Sequence, residues 1–567
     1  MSVAYDTASP AEIMAEAKAC LAAGDPRTAA ELIYGLTQSA PGDIEARYWL
    51  ASALIAADAT DAARATMADA VALHSTQFMG EVGVDVARLG RERAYAADIA
   101  RQLYARHYMA PASVAFGRAL DFENLNPQLL LSYGLSLQHQ GRVEEALDVF
   151  QAAVDAFPDP SVHEFLLYAL FFVENGAQRY AAEARRWAGL YAAGLAPAEP
   201  RFDADRTARR RLRIGYMAPT FTGAQLNQFV TPVLEAHDPE AVDVTLYCAR
   251  PEAEAALPQH LRRRGVAGLS DEAIADMVRS DGIDVLVDLW GHTAGSRLRV
   301  FAMRPAPVQV AWMNFVQTTG LDAIDYVIHC DSMAGPDVEA LFVEKVWSAG
   351  PVMVPYRPAP DRPAPTPAPV LETGRVTFGS FNNPVKLSDQ TVAAWARILL
   401  GRPGSRLILK YGAFIDPVLQ RMTRARFAAH GVEMERVEFR ARSEGREYLE
   451  SFQEIDLALD PSPCPGGTTS CDALASGVPV LTLRGPDFYA RIGLNAVLAC
   501  GLPDLIAEDW DDYVARALAL SADAGALDTL RSRVRIGFET SVFRDEVGFT
   551  RRIEADFRAM FERWAAA

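Results

Sequence analysis

The sequence predicts an α-helical repeat array followed by two α/β lobes. An in-phase pattern of small and large apolar residues recurs through the first third. From Arg211 onward, short β-rich runs alternate with helical segments. A proline-rich stretch, Pro351 to Val370, breaks that alternation once. At 567 residues the chain is too long for a single core. The expected division is a helical domain over 1–195, a first lobe over 205–350, a linker over 351–370, and a second lobe with a terminal helix over 371–567.

The clearest helical unit is "NPQLLLSYGLSLQHQGRVEEALDVFQAAVDAFP", Asn126 to Pro158. It reads as two amphipathic helices around a turn at Gly141. Gly134, Ala146 and Ala153 stand where helices must approach closely, and Leu130, Tyr133, Leu137 and Phe150 fill the space between. The spacing resembles the tetratricopeptide repeat. Ala17, Cys20, Ala29, Ile33 and Pro41 repeat it, and a shift of 34 residues gives Ala51, Leu54, Ala63 and Met67. A degenerate unit is expected over roughly 78–124 and a further helical pair after Pro160. Such units bury their faces only against neighbours, so they predict a short solenoid whose groove binds a peptide or protein.

The first lobe is marked by "LRIGYM", "VDVTLYC", "IDVLVDL", "VQVAWMNF" and "DYVIHC". The second is marked by "RVTFGSFN", "RLILKYG", "RVEFRA", "DLALDP" and "VPVLTLRG". Both series imply parallel strands with crossover helices. Prolines at the density of 351–370 make a stiff, extended connector.

Charge excludes some partners. With 55 basic and 73 acidic residues the formal charge is -18, whereas nucleic acid and anionic membrane favour cationic surfaces. The start, "MSVAYDTASPAEIMAEA", lacks a basic segment followed by an apolar core. The longest apolar stretch, Phe165 to Val173, is too short to span a bilayer. Six cysteines without CxxC pairs predict reduced thiols and a cytoplasmic location. Cys464 and Cys471 have no His or Cys partner at zinc spacing, so no metal site is expected.

Chemistry concentrates in "LDPSPCPGGTTSCDAL", Leu459 to Leu474. It reads as strand, glycine turn and helix, with another strand after it. A helix that starts behind Gly466 and Gly467 presents unpaired amide N–H groups and a partial positive charge, which suits a phosphate.

"FGSFNNPVKLSDQT", "DPSPCPGGTTSCDALASGVPVLTLRG", "DLWGHTAGSR" and "RPAPVQVAWMNF" resemble the motifs of the O-GlcNAc transferase family. The resemblance covers the repeats and nearly all of Leu212 to Phe557. It implies a tetratricopeptide solenoid joined to a GT-B unit of two Rossmann-like lobes. The implied activity is inverting, metal-independent transfer of a sugar from a nucleotide sugar to Ser or Thr of a protein, with no cofactor. Lys386 matches the family's catalytic lysine, and Ser388 after it reads as a helix N-cap. Thr468 and Thr469 match the paired threonines of the phosphate turn, Asp472 the carboxylate that holds the ribose, and Asn383 an amide near the phosphate. Tyr448 falls where the family stacks a ring on the base. Arg304 reads as a structural anchor.

Several positions depart from the family. Ala224 and Gln228 stand where early histidines are usual, Gly467 replaces a histidine, and "MNFVQTTG" from Met313 to Gly320 replaces a "LGYPGTTG"-like segment. All lie where the resemblance puts the sugar, which implies a donor sugar other than that of UDP-GlcNAc. Asn227, Gln228 and Arg297 are candidate sugar or acceptor contacts. For the general base, His292 and Asp288 are the side-chain options, and a donor phosphate oxygen is the third. The Ala- and Arg-rich composition suggests a high-GC bacterium, and bacterial proteins of this layout include flagellin-modifying enzymes. A CMP-linked nonulosonic acid and a flagellin acceptor follow as the sharpest expectation. A UDP-sugar transferase with another acceptor, and a non-catalytic repeat adaptor, are the alternatives. The lobes are expected to have their own cores, so that removing residues 1 to about 190 would spare nucleotide binding.

Overall fold

The computed structural model describes residues 8–121, 125–197, 202, 206–207, 210–313 and 317–567, side chains at 224 and 225 excepted. Two parallel sheets organise the second part of the chain. The first contains β1 (Leu212–Met217), β2 (Val242–Cys248), β3 (Arg262–Gly265), β4 (Val285–Asp288), β5 (Val308–Ala311), β6 (Tyr326–His329) and β7 (Lys345–Ser348), in the order β3-β2-β1-β4-β5-β6-β7. The second contains β8 (Thr377–Ser380), β9 (Arg406–Lys410), β10 (Val437–Arg440), β11 (Leu457–Leu459), β12 (Val480–Leu483) and β13 (Ile506–Ala507), in the order β10-β9-β8-β11-β12-β13. Counted within each sheet, the first six strands run 3-2-1-4-5-6, the Rossmann order. The order therefore reverses between β1 and β4 and again between β8 and β11, and ligands bind at the carboxyl ends of strands beside such a reversal. Register fixes both places: Ile214 pairs with Val285, and Phe378 with Leu457.

The chain divides into two compact units. One comprises Met1–Val149, Pro367–Ser462 and Asp509–Asp528. Its helical part consists of the pairs Pro10–Ala22 with Pro26–Ser39, Ile44–Ala56 with Thr60–Glu81, and Arg93–Ala105 with Met109–Ala119, then Pro127–Gln138 and the start of Val143–Ala156. The helix starts are written in the sequence: Ser9, Asp25, Asp43 and Asn126 each accept an amide of the first turn, and proline follows three of them. Gly141 takes φ +79° in the turn where the pattern placed it. Ala17, Ala29, Ile33, Ala46, Leu50 and Ala53 form one interior cluster. The segment expected to be degenerate folds as a regular pair around Ala96, Ala100, Ala112, Ala115 and Phe116.

One helix of the lobe in this unit is covered by the repeats. Helix Pro417–Ala428 packs against Ile44–Ala56, Thr60–Glu81 and Met109–Ala119. The Ser52 hydroxyl donates to the Ala425 carbonyl at 2.8 Å, and Arg421 lies 5.0 Å from the Tyr48 ring centre and pairs with Glu45. Asp416 is fully buried and caps two helices at once: it accepts the Val418 and Leu419 amides of its own helix and the Ala110 amide of a repeat helix. The repeats and this lobe thus share one compact unit. Apolar side chains on one helix serve both the repeats and the sheet, and a sequence pattern marks that face as buried without saying against what.

The other unit comprises Phe150–Thr366, Pro463–Glu508 and Thr529–Ala567. Here the helical pair Pro160–Ala169 and Gly176–Tyr191 belongs with the seven-stranded sheet. Gly320, at φ +75°, sits so close to Gly176–Tyr191 that a Cβ would lie 2.4 Å from the Ala184 carbonyl oxygen. Gly320→Ala is therefore expected to destabilise the protein by about 1–3 kcal/mol, read as a lower urea midpoint. In the proline-rich stretch, Val352, Met353, Val354 and Tyr356 are buried. Arg304 bonds the Ala323 carbonyl and Asp325, the anchor expected of it.

Candidate active site

Except for Tyr448, which stands between β10 and β11, the site residues singled out from the sequence lie at the ends of or after the four strands that flank the two reversals. In the first unit, β8 runs into Phe381–Lys386. Pro384–Lys386 forms a 3-10 turn, and Asn383 caps it by accepting the Val385 amide at 3.2 Å. Lys386 Nζ lies 3.4 Å from Asn382 Oδ1. Ser388 then caps helix Asp389–Gly401 through the Thr391 amide, as its place in the sequence predicted. The Ser388 and Thr391 hydroxyls both donate to the Ser462 carbonyl, at 2.6 and 2.9 Å. Ser462 stands three residues beyond β11, on the way to the glycine turn. The lysine turn and that lead-in are therefore clasped together. Tyr448 is half-buried, edge-on to Phe452 at 5.4 Å.

In the second unit the expected turn and helix are present: Thr468–Ala475 begins after Gly466 and Gly467. Gly467 offers no side chain to cap the first amides, and Thr468 and Thr469 are partly exposed beside it. Asp472 is buried. It accepts the Tyr356 hydroxyl at 2.5 Å and the Gln228 side-chain amide at 3.2 Å. Tyr356 comes from the stretch read as a connector, so the sequence reading missed it. The apolar run from Val352 to Tyr356 was the available signal. Gln228, expected to face the sugar, is joined to Asp472 and Tyr356, and exposed Asn227 accepts the Thr231 hydroxyl at 3.4 Å.

Asp288 turns back on itself and accepts the Trp290 and Gly291 amides at 3.2 and 2.8 Å. Burial raises its carboxyl to about 6. His292 is 1 % exposed. It bonds the Thr319 carbonyl at 2.8 Å and packs edge-on to Trp187 at 4.7 Å. Burial lowers it to about 4, which keeps the ring neutral. Asp288 and His292 were the two side-chain options for the general base, and both are buried; His292 lies beneath Gly176–Tyr191. Arg297 was offered as a cationic contact, but pairs with Asp271 at 3.1 Å. Within "MNFVQTTG", residues 314–316 lie outside the described residues. Thr318 and Thr319 are buried and bonded to Glu344.

Arg297 lines a cavity of about 290 Å³ with Glu164, Trp187, Asp271, Ser296 and Arg299. Glu164 is 5 % exposed, and burial lifts its carboxyl from 4.5 to about 8 against the bond from Ser296. A carboxyl whose folded pKa is raised holds its proton longer when folded, so its contribution to stability is full below 4.5 and is lost as pH rises towards 8. Glu164→Gln removes that loss. The stability of the variant relative to wild type is expected to grow from pH 4.5 to 8, measured by urea unfolding at several pH values.

Among the described residues, no group of His, Cys, Asp or Glu is placed to hold a metal, all six cysteines are free thiols, and no helix is long and apolar enough to cross a membrane.

Comparison with known proteins agrees with these halves. The family "Glycosyl transferase family 41" matches residues 139–348 and 370–552, and a tetratricopeptide repeat family matches 21–76. A tomato (Solanum lycopersicum) protein named probable UDP-N-acetylglucosamine--peptide N-acetylglucosaminyltransferase SPINDLY is 33% identical over 409 residues, which is 70% of this chain and 44% of that protein. The Arabidopsis thaliana protein of the same title named SEC is 28% identical over 375 residues, 63% of this chain and 37% of that one. The chain thus spans less than half the length of these relatives. A solved structure, a lysine-to-methionine mutant of the Thermobaculum terrenum O-GlcNAc transferase, is 29% identical with a TM-score of 0.76, covering 98% of this chain and 97% of that one. Matched through both of its sheets, the chain belongs to glycosyl transferase family 41.

Proposed function

We propose that this protein is an O-glycosyltransferase that moves a sugar from a nucleotide donor to a Ser or Thr hydroxyl of a protein held by the repeats. One observation carries the reading. The Lys386 turn and the glycine turn follow β8 and β11, the two strands that flank the reversal of the second sheet, where a nucleotide is expected. The acceptor oxygen attacks the anomeric carbon as the bond to the leaving phosphate oxygen breaks, with inversion. Charge grows on that oxygen. The Lys386 ammonium stabilises it; the amides opening Thr468–Ala475 are of the kind that suits a phosphate. Burial of Asp288 and His292 favours the donor's own phosphate oxygen as acceptor of the hydroxyl proton.

The names of the relatives favour a UDP-linked N-acetylhexosamine. Gly467 favours a second reading, the bulkier CMP-linked nonulosonic acid with flagellin as acceptor. Among the described residues a Cβ there would meet only Ile492, at 3.7 Å, which favours room for a larger sugar. A thermal-shift panel of UDP, GDP, CMP and their sugars decides between them. The first reading expects the largest rise with UDP. A largest rise with CMP, and loss of that rise in Gly467→His, would install the second. No response to any nucleotide would leave the repeat adaptor.

A further inference from the structure

We propose that His139, in the last repeat turn of the first unit, is a positioning residue for the donor site: it orients Asn383 and, through it, the turn that carries Lys386. The inference rests on the reading that Asn383 and Lys386 serve the donor phosphate. His139 ends helix Pro127–Gln138, and its Nδ1 lies 3.4 Å from Asn383 Nδ2. The chemistry of the pair fixes its direction. Asn383 Oδ1 is taken by the Val385 amide, so the side-chain NH2 faces the ring. Nδ1 must then be the acceptor and Nε2 carries the proton. Burial, the largest influence on this imidazole, holds it below its ordinary pKa and so favours the neutral form that can accept.

The turn is built to hold that contact. Gln140 donates to the Met109 and Ser136 carbonyls at 3.2 and 2.8 Å, locking the turn to the preceding helices. Gly141 lies beside the lysine turn: a Cβ there would stand in ordinary contact, 3.4 Å from the Pro384 carbonyl oxygen. Beside Gly141, Arg426 donates to the Leu387 carbonyl at 2.6 Å and pairs with Asp389 at 2.7 Å. The lysine turn is thus held between a repeat turn and a lobe helix. A repeat expected only to bind an acceptor takes part in shaping the place where the donor's charge is met.

A double-mutant cycle in the full chain tests this, with His139→Ala, His139→Asn, Asn383→Ala and the double alanine variant. The probe is whichever of UDP, GDP and CMP wild type binds most tightly, measured by calorimetry, with urea midpoints recorded beside it. Asparagine places an acceptor oxygen where Nδ1 stood. His139→Ala is expected to weaken binding about 3–10-fold, the worth of one hydrogen bond. His139→Asn should stay within about twofold of wild type, and His139→Ala should add nothing in the Asn383→Ala background. Additive losses, or an asparagine variant as weak as the alanine variant, would overturn the proposal. Failure of wild type to bind any of the three would instead overturn the donor reading itself, and is seen before any variant is compared.

Discussion

Lys386→Ala is expected to reduce sugar transfer on the order of 10²–10³-fold, the scale of removing one preorganised partner of developing charge. The residue sits on a 3-10 turn between buried Val385 and buried Leu387, and is itself only half-buried. Its neighbours pack the turn, while its ammonium lies 3.4 Å from Asn382 Oδ1. Unfolding should therefore stay near wild type, because the turn is held by the Asn383 cap, the Ser388 clasp on Ser462 and the Arg426 bond to Leu387. Lys386→Arg keeps the charge but spreads it over a planar fork, and should recover only part of the rate. The measurement is initial rate of transfer with the donor selected by the nucleotide panel, beside a thermal melt. Near wild-type turnover in Lys386→Ala would remove the lysine from the phosphate.

Removing residues 1–190 is expected to abolish nucleotide binding as well as modification of the acceptor. Helix Pro417–Ala428 would lose the repeat helices that cover it. Val418, Leu419 and Met422 are each 3 % exposed or less. Uncovering such side chains costs about 1.5–3 kcal/mol each, and a domain has only about 5–15 kcal/mol in total. Asp416, lifted by burial to about 6, would also lose the Ala110 amide. The second unit loses Trp187 against His292, and the helix on which Gly320 closes. Urea unfolding of the truncated chain should be broad and early, and calorimetry should show no nucleotide binding. A cooperative transition with wild-type affinity would show that the lobes stand alone.

Much of this fold is legible in the sequence because its strands are apolar on both faces. The runs around β1, β2, β4, β5, β6, β8, β9, β10, β11 and β12 all stand out against their helices. β3 does not: Arg262–Gly265 is three arginines and a glycine on a sheet edge, largely exposed, with no apolar signal to find. β7, at the other edge, offers only half-buried Val346 and Trp347 between two exposed polar residues. The Lys386 turn and the start of Thr468–Ala475 were found because glycine, proline and N-cap residues act locally. What the sequence hid is long-range. Tyr356 looks like one more member of a proline-rich connector until Asp472 is beside it, and His139 looks like a helix end until Asn383 is. Asp288 and His292 show the other side of this: polar residues after a strand suggest a mouth, but Asp288 is bonded to the amides that follow it, and His292 is buried with Nε2 on the Thr319 carbonyl and Nδ1 without a hydrogen-bond partner.

The double cap at Asp416 has a consequence for synthesis. The ribosome releases the repeats, up to Val149, well before it makes Pro367–Ser462, the segment that completes their unit. At about 5–20 residues per second the wait is roughly 10–45 s. During that time the Ala110 amide and the surface awaiting Pro417–Ala428 have no partner. An N-terminal array of helices would ordinarily be the part that folds first and safest. In this chain it emerges unfinished, and its cellular yield should depend on translation speed and on whatever shields that face until the carboxylate arrives.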